Sequence, residues 1–493
     1  MKDIHTILKQ TYGYDCFREG QEKLIRAILN GQDVMAILPT GAGKSLCYQI
    51  PALAMDGITL VVSPLISLMQ DQVRALLSVG VRAAYLNSSL TPGQIALATR
   101  NAERGMYKII YAAPERLLTE SFLRFARSAD ISLLAVDEAH CISQWGQDFR
   151  PAYLKIRSFI DQLPHRPPVA AFTATATRQV SRDIEDQLGL QSPLCYAGGM
   201  DRPNLYFGTV RPIDKDAFIC RYVYTHKDES GIIYCLTRKE TERIADMLTS
   251  HGIGACAYHG GMADEDRHRV QDDFVYDRVR VIIATNAFGM GIDKPDVRFV
   301  LHAGMPSRME DYYQQAGRAG RDGARAECIL LFNPQELEIN YYMIEQTPEN
   351  DPLTPEQRKV YVETQKQYLQ QMIYYAASRQ TCLRKRILDY FGEKSKSSCG
   401  NCSICCQNIP VPTKNQIAAA YDERLFSLLK AQCKKWALFE GVPSYTIASD
   451  TMLRELSALK PQTTAQLRQI SGFGEAKIRR YGNDLLRLIQ QYK

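Results

Sequence analysis

No unbroken apolar run opens this 493-residue sequence: Met1 to Phe17 is interrupted by Lys2, Asp3, His5, Lys9 and Asp15. A signal peptide and a membrane anchor each need a continuous apolar stretch, so neither is expected and a cytoplasmic, membrane-free protein is the default. Long low-complexity tracts are lacking too, and 45% hydrophobic with 23% charged residues is the balance of a soluble globular chain. Net charge is small, +6, and Lys414 to Lys493 accounts for all of it with thirteen basic against seven acidic residues. An excess of that size suits a solvated helical face as well as a polyanion-binding module. A disulfide framework is not indicated either. Of 14 cysteines, ten are scattered singly in apolar contexts such as Cys235 and Cys328, as buried thiols are, and only four cluster.

The chain is too long for one core, and roughly one domain per 150 residues predicts about three or four. Short apolar runs end in polar motifs and are followed by helical stretches: Val34 to Leu38, Ile58 to Val62, Leu133 to Val136 and Val169 to Phe172. The rhythm repeats at Ile232 to Leu236, Val279 to Ala284, Val297 to Leu301 and Cys328 to Phe332. This predicts an α/β fold of two parallel-sheet lobes, residues 1–205 and 206–336, with chemistry at the carboxyl ends of the strands. A helical stretch with the cysteine cluster (337–406), a Pro-containing linker (407–420) and a small all-helical domain (421–493) complete the expected order.

Directly after the first strand comes Pro39-Thr40-Gly41-Ala42-Gly43-Lys44-Ser45. Glycines let backbone N–H groups of Thr40 to Gly43 turn inward to cradle phosphates; Lys44 suits the β and γ oxygens of ATP, and the Ser45 hydroxyl suits Mg2+. The full pattern wants Gly where Leu38 stands. About ninety residues on, the strand Ile131 to Val136 ends in Asp137-Glu138-Ala139-His140. A strand-terminal Asp can hold the nucleotide's Mg2+ while the adjacent Glu positions the attacking water, since phosphoryl transfer needs positioning and charge neutralisation above all. These segments resemble the DExH class of superfamily-two helicases, whose phosphate loop often lacks that first glycine and whose catalytic box includes the position of His140. Tyr312 to Gly323 then sets Arg318 and Arg321 three apart in a Gly-rich, helical-looking segment. Both can reach a γ-phosphate from one helical face; salt bridging is the alternative, and the resemblance favours an arginine finger with Arg321 at its tip.

The segments Tyr14 to Gln21, Cys141 to Pro151 and Cys382 to Cys405 resemble the bacterial RecQ family in particular. Tyr14 to Gln21 is similar to its adenine-recognition motif, with Gln21 for the adenine edge and Tyr14 and Arg18 for the ring. Cys141 to Pro151 resembles its aromatic-rich loop, in which Trp145, Phe149 and Arg150 are suited to unpaired bases, although Gln147 stands where the family has His. Thr285 and Asn286 match a nucleic-acid-contacting segment that ends at Asp293, on the nucleotide side. Cys382, Cys399, Cys402 and Cys405 can close a tetrahedral zinc site; an iron–sulfur cluster is the rival, and the resemblance to the RecQ zinc-binding subdomain favours Zn2+, with Cys406 a bystander. Gly441 to Tyr445 and Ile470 to Lys477 look like an HRDC domain, whose Gly472/Gly474 turn reads either as an amide nest for DNA phosphates or as a plain helix–helix turn.

The resemblance thus implies two tandem RecA-like lobes, a helical zinc-binding subdomain and a small all-α HRDC domain. It implies a 3′-to-5′ DNA helicase using ATP, Mg2+ and Zn2+ on single-stranded and branched DNA, in recombination or repair. Single-stranded-DNA-binding protein and topoisomerase are the implied partners, and the bacterial nucleoid the implied place. The family's winged-helix domain has no room between Cys406 and Ala420. A translocase or RNA helicase that unwinds DNA weakly, and a scaffold with a dead nucleotide site, are the competing functions.

Overall fold

The computed structural model describes residues 3–39, 41–87, 89–143, 149–288, 294–346, 354–406 and 421–492, with the side chains of Ser67 and Gln357 outside that description. Two compact units emerge, one holding residues 3–199 with 421–492, the other residues 200–288 with 294–406.

The first unit is built on β1 (Val34–Ile37), β2 (Ile58–Val62), β3 (Ala83–Leu86), β4 (Ile109–Ala112), β5 (Ile131–Val136), β6 (Val169–Thr173) and β7 (Leu194–Ala197). They form one sheet in the order β3-β4-β2-β5-β6-β1-β7 with every pairing parallel. Its inner strands are rich in Val, Ile, Leu and Ala because helices cover both faces: β2, β4 and β6 are buried along their whole length. Separate apolar clusters, one around Phe122, Phe125 and Phe159 and the other around Tyr48 and Phe172, fill the two sides.

The sheet order decides where the chemistry sits. β6 lies between β5 and β1, and β5 also pairs with β2. Parallel direction therefore puts the carboxyl ends of four neighbouring strands on one edge: Ile37 before the phosphate loop, Val62 before Ser63, Val136 before Asp137, and Thr173.

The second unit repeats the plan with β8 (Leu205–Val210), β9 (Ser230–Tyr234), β10 (Ala255–Tyr258), β11 (Val281–Ala284), β12 (Val297–His302) and β13 (Ala326–Leu331), in the order β10-β11-β9-β12-β13-β8, again all parallel. Helices Pro355–Ala376 and Leu383–Tyr390 lead to the cysteine loop, which lies along the edge strand β8. Cys402 bridges to Phe207 and Ser403 Oγ accepts from Thr209 N at 3.2 Å, so an edge that would otherwise expose unpaired backbone is covered.

Residues 421–492 form helices Glu423–Glu440, Asp450–Leu459 and Glu475–Gln491 around Leu425, Leu429, Leu456, Phe473 and Leu485. Asp422 caps the first by accepting from Leu425 N, and Gly441 ends it. No helix among the described residues is long and apolar enough to cross a membrane.

Candidate ATP and zinc sites and the family of the chain

Gly41 and Gly43 adopt φ of +84° and +80°, which a side chain would resist, and the helix Leu46–Ala54 begins directly after Ser45. Leu38 N donates to Thr173 O at 2.9 Å, so the start of the phosphate loop is stitched to the end of β6. Thr40 lies outside the described residues. Gln21 is 2% exposed: its Nε2 donates to Ala42 O and Gly43 O, both at 3.1 Å, and its Oε1 accepts from Arg18 N at 2.9 Å. The structure thus places Gln21 as a brace of the phosphate loop, and a base edge would have to use the second lone pair of Oε1 or displace a loop carbonyl. Arg18 donates to Gly41 O, and Tyr14 remains 40% exposed.

Across the edge, Lys44 Nζ lies 3.8 Å from Glu138 Oε1. Glu138 sits at φ +47°, a conformation a β-carbon disfavours, held there while its N–H donates to Asp137 Oδ1 at 3.0 Å. Asp137 is buried, and desolvation, reinforced by the neighbouring Glu138 charge, raises its carboxyl well above the usual carboxylate range against the pull of Lys44. A buried carboxyl whose ionisation is disfavoured beside a second carboxylate suits a divalent cation, which would reverse that balance.

His140 Nδ1 is 2.8 Å from Thr173 Oγ1 and 3.3 Å from Glu138 Oε2. Thr173 Oγ1 donates to Thr175 O at 3.0 Å, so it accepts from the imidazole and the ring proton is assigned to Nδ1. The box after β5 is thereby wired to the Thr-rich segment after β6. Tyr153, fully buried, donates to Asp137 O at 2.9 Å and holds the strand end from behind. Neither link is visible in the sequence motifs, because both partners are remote in the chain. Arg150 NH1 donates to Pro64 O at 2.7 Å, tying the aromatic-rich loop to the segment after β2, and Phe149 is partly exposed; Trp145 and Gln147 lie outside the described residues.

In the second unit the two arginines are not on a helix. The helix Met309–Ala316 stops at Gly317, and Arg318 and Arg321 follow in turns, since Gly320 N is drawn away to Val297 O at 2.9 Å. The expectation of one helical face is corrected accordingly: a Gly-rich turn, not 3.6-residue periodicity, presents them. Arg318 is buried, and both cations act on the Tyr234 hydroxyl, which itself donates to Phe288 O at 2.7 Å. Tyr234 therefore joins the arginine turn to the segment after β11. There Thr285 is buried with Oγ1 accepting from Ala287 N, and Asn286 is exposed; Asp293 lies outside the described residues.

The sulfurs of Cys382, Cys399, Cys402 and Cys405 all lie within 4.8 Å of one another. Backbone N–H groups of Lys385, Asn401 and Cys405 point at three of them, at 3.5, 3.3 and 3.4 Å, as suits thiolates. The donor set fits Zn2+, and Cys406 turns instead to Gly400 O. Arg384, which no motif singled out, fixes the module to the lobe: it donates to Asp201 Oδ1 at 2.5 Å, Arg202 O at 2.7 Å and Leu205 O.

In the HRDC-like region the Gly472/Gly474 turn does not face solvent. Gly472 N donates to Gly13 O at 2.9 Å. Lys477 is half buried, with desolvation pushing its ammonium down to about 8, and Arg480 pairs with Glu440 at 3.0 Å. The amide nest read from the sequence is thus turned toward the first lobe.

Family models agree with this anatomy. The DEAD/DEAH box helicase model matches residues 18–183, the helicase conserved C-terminal domain 214–323, RecQ zinc-binding 334–406 and the HRDC domain 422–489. ATP-dependent DNA helicase RecQ of Bacillus subtilis is 45% identical over 81% of this chain and 66% of its own length. The RecQ of Pasteurella multocida is 34% identical over the whole chain and 95% of its length, and that of Haemophilus influenzae 44% over 81% and 63%. The chain thus spans about two thirds of the Bacillus and Haemophilus proteins. The Pasteurella alignment runs to 615 positions, 122 more than this chain has residues. Among solved structures, the helicase MrfA bound to DNA superposes with a TM-score of 0.56 at 19% identity, covering 76% of this chain and 56% of that one. Mss116 bound to single-stranded RNA gives 0.57 at 16%, covering 77% and 88%, so at this level the likeness is one of fold. With all four domain models in order and a relative aligned from end to end, the chain belongs to the RecQ family of ATP-dependent DNA helicases.

Proposed function

We propose that the chain is a 3′-to-5′ DNA helicase that couples ATP hydrolysis to movement along single-stranded DNA and opens duplexes in recombination or repair. The observation that carries the reading is the convergence of Lys44, Asp137, Glu138, His140 and Thr173 on neighbouring strand ends, with Arg150 bonded to Pro64 beside them. Ser45 and Asp137 are the residues that would hold Mg2+, which when bound neutralises phosphate charge. Lys44 binds the β and γ oxygens, Glu138 orients and deprotonates the attacking water, and His140 passes the state of that carboxylate to Thr173 and Thr175. Arg318 and Arg321 are assigned the positive charge that an arginine finger contributes to phosphoryl transfer. Cys382, Cys399, Cys402 and Cys405 hold a structural Zn2+ that keeps the loop on β8. Trp145, Phe149, Thr285 and Asn286 are assigned to DNA. The proposed domain limits are 1–199 and 200–336, the first moved from 205 because β8 of the second sheet already begins at Leu205, then 337–406 and 421–493 around the linker. Work at the nucleoid beside a single-stranded-DNA-binding protein and a topoisomerase belongs to the same reading.

A second reading, a translocase or RNA helicase with weak DNA unwinding, draws on the fifteen residues between the zinc-binding and HRDC matches, too few for a domain. ATP turnover measured with single-stranded DNA, with RNA and with neither separates them. Strong stimulation by DNA is expected; stimulation by RNA alone would contradict the DNA assignment.

A further inference from the structure

Residues 459 positions apart in sequence meet where the HRDC domain touches the first lobe. Lys9 Nζ donates to Arg468 O at 2.9 Å and pairs with Asp15 at 2.6 Å. Gly472 N donates to Gly13 O at 2.9 Å. The approach is backbone to backbone. A β-carbon on Gly13 would come within 2.6 Å of Gly474 N and Phe473 N, and one on Gly474 within 3.0 Å of Thr11 O. Gly13 and Gly472 also have φ of +78° and +79°, so glycine is required on both sides of the contact for shape and for conformation.

The contacted segment is no ordinary surface. Tyr12, on one side of Gly13, donates to Gln49 Oε1 at 3.1 Å, and Gln49 N bonds Ser45 O at 2.9 Å, one helical turn from the phosphate loop. Tyr14, on the other side, belongs to the segment assigned to adenine, and a β-carbon on Gly472 would sit 3.6 Å from its Cε1. The Tyr14 ring edge thus lies beside the HRDC turn, with about a methyl group's width between them, while 40% of the residue stays open.

We propose that the HRDC domain is a built-in ligand of the first lobe: its Gly472-Phe473-Gly474 turn docks on Gly13 and fixes Tyr14 as a platform for adenine, so that HRDC docking and ATP binding favour each other. The inference rests on the adenine assignment of Tyr14 and Gln21. By reciprocity, whatever affinity docking adds to ATP, ATP adds to docking. An amide occupied by Gly13 O is also not offered to a DNA phosphate, so docking and any use of this turn on DNA exclude each other.

The test uses the full chain. Gly474→Val has no backbone strain of its own, since Gly474 sits at φ −72°, but overlaps Thr11 O. Lys9→Met removes the second contact from the lobe side, leaving the HRDC core untouched. Binding of a non-hydrolysable ATP analogue is expected to weaken by about fivefold or more in Gly474→Val and by at least about twofold in Lys9→Met, with turnover at saturating ATP and DNA within about twofold of wild type. In the wild type, the analogue should slow amide exchange in residues 468–476. Unchanged analogue affinity in both variants, or exchange in 468–476 indifferent to the analogue, would overturn the proposal. Gln21→Ala separates this from the assignment beneath it. If that variant keeps the wild-type preference for ATP over GTP, the adenine reading fails; if it loses the preference while the docking variants bind normally, only the docking proposal fails.

Discussion

Arg384→Met removes the cation that fastens the zinc module to the second lobe. Its side chain is 7% exposed and its ring partner is Phe207, with the guanidinium carbon 5.3 Å from the centroid. Asp201 is 47% exposed, so water replaces that partner and the ion pair contributes little. The carbonyls are different. Arg202 O keeps a bond from Leu205 N at 3.0 Å, and Leu205 O keeps one from Asn401 Nδ2 at 3.0 Å, so neither is orphaned but each loses a charged donor. At about 1.5 kcal/mol for each such bond and about 1 kcal/mol for the cation–π contact, offset by the cheaper burial of Met, the cost is about 2 to 4 kcal/mol. Expressed as local opening, this accelerates amide exchange in residues 399–406 by about 30- to 900-fold, at about 1.36 kcal/mol per decade. Native-state exchange of zinc-loaded protein measures it. A change under about threefold would mean that packing and zinc alone hold the module, and that Arg384 is dispensable.

Glu138→Gln should lower DNA-stimulated turnover by about 10²- to 10⁴-fold while ATP still binds, and Lys44→Ala should abolish turnover with weakened binding; nucleotide binding and phosphate release read the two apart. Chelating Zn2+ should free the loop from β8, seen as faster exchange in residues 205–210 as well as 399–406, whereas unaltered exchange would remove zinc from its structural role. Burial holds the His302 imidazole down at about 3, with Nε2 facing Gln315 Oε1 at 2.9 Å. The unfolded chain takes up a proton at about 6.5 that the native ring refuses, so stability present above that pH is lost as pH falls, by about 1.4 kcal/mol per unit. Replacing His302 with Asn should flatten the stability curve between about pH 6 and 5 by that slope; an unchanged slope would contradict the assignment.

Much of this was legible because parallel strands buried on both faces read as plain apolar runs, and strand-end motifs follow them directly. The run Ile58 to Val62 is β2 to the residue, and Asp137 follows β5 as its apolar run implies. Four cysteines at metal spacing likewise declared themselves. What escaped were links between distant segments: Tyr153 to Asp137, Tyr234 to the arginine turn, Arg384 to Arg202 and Leu205, Gly472 to Gly13. A single Tyr or Arg carries no periodicity and no motif, so only tertiary structure reveals its partner. Arg318 and Arg321 misled for a local reason: their spacing continues that of the preceding helix, but Gly317 ends the helix before either is reached.

The most direct test of the central claim is strand displacement by the purified chain on duplexes carrying a 3′ or a 5′ single-stranded tail, with ATP and Mg2+. ATP-dependent separation of the 3′-tailed duplex is expected, with little on the 5′-tailed one and none with Glu138→Gln. DNA-stimulated hydrolysis without displacement of either duplex would leave a translocase, and separation that proceeds equally without ATP would contradict the motor itself.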